Sequence, residues 1–83
     1  MTRKEKLLEK LHAGPNNFTW DEATRLMRLH GFVLLNRDGS ARMFVHENTR
    51  TKVRLHEPHP HNTLKPYMIE QLLEGLRAAG EIE

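Results

Sequence analysis

Asp38-Gly39 is the feature that most restricts how this chain can fold. Between two β-favouring runs such a pair is among the strongest short-range hairpin signals, because both residues tolerate the positive φ that a tight hairpin turn requires. The run before it is Phe32-Val33-Leu34-Leu35-Asn36, and the run after it extends from Ala41 to His46. A polar turn at Glu47-Asn48-Thr49 then leads into residues 50–56, where Thr51, Val53 and Leu55 alternate with Lys52, Arg54 and His56. Alternation with a period of two puts the first set on one face of a strand and the cations on the other. The expectation is a three-stranded antiparallel meander, apolar on one side and cationic on the other.

Such a sheet needs cover, and helical patterns on both sides of it in the sequence supply that. Thr19-Trp20-Asp21-Glu22 reads as a capping box, with Phe18 placed as a hydrophobic staple. Trp20, Ala23, Leu26, Met27 and His30 share one face of a helix over 19–30, which Gly31 ends. Ahead of it, Thr2-x-x-Glu5 is another capping box, and Leu7, Leu8 and Leu11 recur at helical spacing until Gly14-Pro15. That first helix is too short to stand alone and must dock or fray.

A polar loop over 56–63 precedes Pro66, which suits the first turn of a last helix. Met68, Ile69, Leu72, Leu73, Leu76 and Ala79 give this helix a broad buried stripe, closed by Gly80. Gly75 lies inside it at a cost of about 1 kcal/mol relative to alanine, through close packing or simple tolerance. The order α-α-β-β-β-α predicts an α+β two-layer sandwich. Eighty-three residues have surface enough for one core, so one domain is expected over 1–83. Trp20, Tyr67, Phe18, Phe32 and Phe44 are its large aromatic residues, and the core is accordingly thin.

Net charge is only +2, but its distribution is uneven. From Arg25 to Arg54 the basic residues are Arg25, Arg28, Arg37, Arg42, Arg50, Lys52 and Arg54, against Asp38 and Glu47 alone. Glu70, Glu74, Glu81 and Glu83 collect at the other end. A basic middle beside an acidic tail fits a surface that faces a polyanion; a solvated mixed-charge surface is the plainer reading. The chain has no cysteine, which excludes disulfides and thiolate metal sites. No apolar run nears the ~20 residues of a membrane span, and Met-Thr-Arg-Lys-Glu-Lys lacks a secretory hydrophobic segment. A soluble cytoplasmic protein is expected.

Phe18-Thr19-Trp20-Asp21-Glu22, Gly31-Phe32, Gly39-Ser40-x-Arg42-x-Phe44 and Leu64-Lys65-Pro66, followed by the closing leucine helix, together resemble the HicA family of mRNA interferase toxins. The resemblance covers about residues 4–80, with an N-terminal helix and turn at 1–18 and the small core at 19–80. It implies a double-stranded-RNA-binding-domain-like fold, cleavage of mRNA, and neutralisation by a HicB-type antitoxin. Members of this type carry Gly-Ser-His after the first strand, and that histidine is the catalytic one. Here the matching position is Ala41, framed by Gly39, Ser40 and Arg42.

The substitution matters chemically. Metal-free RNA cleavage needs one group to take the 2′-hydroxyl proton and another to protonate the leaving oxygen, and imidazole does both near neutral pH. A methyl group does neither, so the chain is expected to bind RNA but scarcely cleave it, a loss of about 10²–10⁴-fold. An engineered or a naturally degenerate toxin would both look like this. The RNA-binding set implied around the turn is Arg37, Gly39, Ser40, Arg42, Lys52 and Arg54, whose cations would position phosphates without reading sequence. A non-catalytic RNA-binding module, or an interaction protein that meets an acidic partner, are the competing classes.

His56-x-x-His59-x-His61 invites a zinc reading, but no cysteine or carboxylate cluster completes a ligand set, so no metal, small-molecule cofactor or membrane partner is assigned. His30 at a helix end reads as a partly buried cap, and His46 at a strand end as exposed.

Overall fold

The computed structural model describes residues 2–14, 16–36, 39 and 41–83. Its elements are α1 (Arg3–His12), α2 (Trp20–Leu29), β1 (Phe32–Asn36), β2 (Ala41–His46), β3 (Lys52–His56) and α3 (Pro66–Ala78). Both expected capping boxes are made. The Thr2 and Thr19 hydroxyls accept from the N–H groups of Glu5 and Glu22, whose carboxylates accept in return from the N–H groups of Thr2 and Thr19. Two orphan donors are thereby satisfied at each helix start, which places α1 and α2 where the sequence puts them.

The sheet is antiparallel throughout, in the order β1-β2-β3. Phe32, Leu34, Phe44, Val53 and Leu55 face the helices, and α2 packs on β1 while α3 packs on β3. The third strand begins at Lys52 and not at Arg50. Arg50 adopts φ 64°, a left-handed conformation that closes the β2–β3 turn and cannot continue a strand. The His46 N–H donates to the Thr51 carbonyl (2.8 Å) and the Arg50 N–H to the His46 carbonyl (2.9 Å), completing that turn.

One hydrophobic cluster includes Leu7 and Leu11 of α1 together with residues of both other helices and the sheet. The first helix is thus docked, and the Lys10 ammonium bridges to both Glu22 oxygens at 3.0 and 2.8 Å. Burial raises the affinity of Glu22 for a proton. The Lys10 and Thr19 hydrogen bonds and the Lys10 charge outweigh it, holding the carboxyl below its ordinary pKa. Tyr67 departs from its expected place in the core: it is 57% exposed on α3, one residue before the buried stripe begins at Met68.

Gly75 has a steric reason. A β-carbon there would overlap the Val53 Cγ2 atom, so the absence of a side chain lets α3 lie directly on β3. The segment before α3 is tied to the entry of α2 by hydrogen bonds from the Trp20 N–H to Asn62 (2.7 Å) and from the Leu64 N–H to Phe18 (2.8 Å), which seat Leu64 in the core. The result is the α+β, double-stranded-RNA-binding-domain-like arrangement α-β-β-β-α, preceded by α1. Among the described residues no helix is long and apolar enough to cross a membrane.

Candidate nucleic-acid interface

Helices cover one face of the sheet, and the strand registers define what stands on the other. Val33, Val45 and Lys52 form one cross-strand row, Leu35, Met43 and Arg54 the next, and Ala41 with His56 a third beside the hairpin turn. The expected division into an apolar and a cationic face therefore holds only for β3. On the outer face β1 and β2 contribute apolar side chains, with Val33 and Leu35 exposed and Met43 buried between Leu35 and Arg54. Lys52 and Arg54 are exposed along one side of this strip.

The turn between β1 and β2 is braced from within. Gly39 takes φ +57°, where a side chain would be strained, and the space around it is open. Arg42 pairs with Leu55 and so falls on the helix-facing side of the sheet, opposite to Ala41, Lys52 and Arg54. Its guanidinium donates to the carbonyls of Gly39 and Ala41, both at 2.9 Å, and meets the Glu57 carboxylate at 3.2 Å. Of the residues expected to bind RNA, Lys52 and Arg54 thus share the outer face with Ala41, the expected catalytic position, whereas Arg42 holds the turn. Arg37, Asp38 of the expected Asp38-Gly39 turn, and Ser40 lie outside the described residues.

Next to the Ala41–His56 row a groove of about 620 Å³ opens between the loop after β3 and the α1–α2 turn. His56, His59, His61 and Lys65 line it together with apolar Leu64 and Met68. Among the described residues no three His, Cys, Asp or Glu side chains are grouped to hold a metal ion. His56, in the sequence a strand residue and the first member of the His56-x-x-His59-x-His61 pattern, stands opposite Ala41 in the β2–β3 ladder. Phe44 and Val53 both face the core, which puts Ala41 and His56 on the opposite face, and the β2–β3 turn sets the register that pairs them.

His30 and His46 form a separate, buried cluster. His46, expected to be exposed, is only 3% exposed, as is His30. One carboxylate joins them: Glu81 Oε1 lies 3.1 Å from His30 Nδ1 and Oε2 lies 3.0 Å from His46 Nε2. The Thr49 N–H donates to His46 Nδ1, so the proton of the neutral ring sits on Nε2 and points at Glu81. Glu81 reaches this position because Gly80, at φ +77°, ends α3 with the Glu81 N–H returning to the Leu76 carbonyl and the Gly80 N–H to Arg77.

Burial pushes the His30 pKa down, and the opposing pull of Glu81 does not restore it; Lys4 and His46 add to the depression. Burial pushes the Glu81 carboxyl up, but its hydrogen bonds to His46 and His30 bring it below its ordinary value. These two histidines are structural and shielded from solvent. No local pattern marks the cluster, since its members are 35 and 51 residues apart.

Residues 20–80 match the family model described as HicA toxin of bacterial toxin-antitoxin, which spans well over half of the chain. No curated protein and no solved structure matches the chain.

Proposed function

Since this chain belongs to the HicA toxin family of bacterial toxin–antitoxin systems, we propose that its outer sheet face is an mRNA-cleaving surface whose proton-handling side chain, at position 41, is replaced by methyl. The observation that carries this reading is the place of Ala41. It stands on the open face of the sheet at the mouth of the hairpin, two residues along β2 from the row that ends in Arg54. A backbone laid over Lys52 and Arg54 would meet two exposed cations, which attract phosphates irrespective of base. Position 41 would then lie beneath the next sugar–phosphate unit. Arg42 serves this surface indirectly, by holding the turn through Gly39 and Glu57.

Cleavage at such a surface is an acid–base reaction. The 2′-oxygen attacks the adjacent phosphorus as its proton is taken, and the 5′-oxygen leaves as it receives one. With Ala41 in place this chain binds RNA and scarcely cuts it. The HicB-type antitoxin covers the same face, where the apolar strip of Val33 and Leu35 beside Lys52 and Arg54 offers both burial and charge.

Ala41→His tests the reading. Produced without antitoxin, the variant arrests growth, and the purified protein cleaves RNA in the presence of a chelator, while the chain with Ala41 binds the same RNA uncut. Charge reversal at Lys52 or Arg54 weakens that binding and lowers its salt dependence by about one counterion per site. A folded Ala41→His protein that neither arrests growth nor cleaves RNA overturns the reading.

A further inference from the structure

Acid–base cleavage of RNA needs two proton-transfer groups, and position 41 can supply one. We propose that His56 is the other. This rests on the assignment of position 41 to the catalytic centre and extends it to the cross-strand partner of that position.

The placement follows from the register. Ala41 and His56 are direct cross-strand partners in the antiparallel β2–β3 ladder. Side chains so paired leave the same face of the sheet with their β-carbons roughly 4.5–5.5 Å apart. An imidazole at each position flanks a phosphodiester lying across the row, one ring near the 2′-oxygen and the other near the 5′-oxygen. Hydrogen-bond reach to the transferred proton is what such a role requires.

Alternatives within the chain are poorer. His30 and His46 are buried on Glu81 behind the sheet. His12 is on α1, which packs against α2 and α3 and not against the sheet's outer face. His59 and His61 belong to the loop and line the groove, but neither stands on the face that carries Ala41. Among the described residues of the outer face, His56 is the one imidazole. It is exposed and forms part of the groove wall, so a nucleotide entering from that side meets it. The charged groups around it are Arg54 on the same strand face, Glu57 next in sequence, and Lys65, His59 and His61 along the groove.

The step balances without a co-reactant. The O2′–P bond forms and the P–O5′ bond breaks. One imidazole takes the 2′-hydroxyl proton and the other gives a proton to O5′, leaving a 2′,3′-cyclic phosphate and a 5′-hydroxyl.

The experiment compares Ala41→His with Ala41→His/His56→Gln, by kcat, KM and pH profile on a short RNA, with thermal melting to verify the fold. Glutamine keeps a polar side chain on the exposed strand position but transfers no proton. The single variant cleaves with a bell-shaped profile of kcat/KM. In the double variant kcat falls by about 10²–10⁴-fold, one limb of the bell disappears, and RNA affinity and melting temperature are unchanged. Equal rates and an intact bell in the two variants overturn the role of His56 while leaving position 41 in the catalytic centre. So does a loss confined to RNA affinity, which makes His56 a phosphate ligand. An inert, folded single variant removes the catalytic assignment of position 41 and the proposal with it.

Discussion

Gly75 illustrates how one residue can be read two ways until its neighbours are known. In an isolated helix alanine would be better by about 1 kcal/mol. Here the added β-carbon collides with Val53, a β-branched side chain that is buried and has little rotamer freedom with which to yield. Overpacking of this kind costs about 1–3 kcal/mol, more than the helix gain. Gly75→Ala is therefore expected to be net destabilising in denaturant unfolding, and Val53→Ala to cost less in the Gly75→Ala background than alone. Additive effects of the two changes would show that the helix does not bear on the strand at this point.

At the scale of elements, α1 is the part of the fold that depends most on its neighbours. Its ten residues would be marginal as an isolated helix, so its stability comes from the seat that α2 and α3 provide. Leu11 is fully buried in that seat, and Leu11→Ala should cost about 2–5 kcal/mol in equilibrium unfolding, a large share of the stability of so small a protein. A cost below about 0.5 kcal/mol, as at a surface position, would mean that α1 is an ornament and not part of the core. The β2–β3 turn matters in another way. Arg50 adds one residue, in a left-handed conformation, to the turn suggested by Glu47-Asn48-Thr49. That single residue decides which side chain of β3 stands opposite Ala41.

For the molecule as a whole, the Glu81 cluster makes stability depend on pH. The folded state disfavours protonation of His30, whereas the unfolded chain takes up a proton below its ordinary pKa of 6.5. The unfolded state therefore binds more protons in that window, and stability declines as pH falls from about 6.5. Glu81 acts in the same direction lower down, because its depressed pKa contributes stability that is lost as pH drops below 4.5 and toward its folded value. The melting temperature should thus fall between pH 7.5 and pH 5.5, and His30→Gln should flatten that slope. Parallel profiles for the two proteins would exclude His30 as the origin. The cluster joins the α2 terminus, the end of β2 and the tail after α3, so its loss loosens the edge of the fold remote from Ala41.

What the amino-acid order determined by itself was local. Capping boxes, a β-hairpin pair and two periodicities are encoded within a few residues of one another, and they were enough for six elements, their type and the α+β class. The start of β2 at Ala41 was legible too, because the turn signal lies next to it. The outer face was harder to read. Arg42 looked equivalent to Lys52 and Arg54 as a cation near the turn, yet pairing with Leu55 turns it to the other side. His46 looked like an exposed strand end until a carboxylate from the far end of the chain closed over it. Register, the orientation of side chains across strands and the meeting of residues 35 or 51 positions apart depend on contacts between elements, and these exist only once the helices have been laid on the sheet.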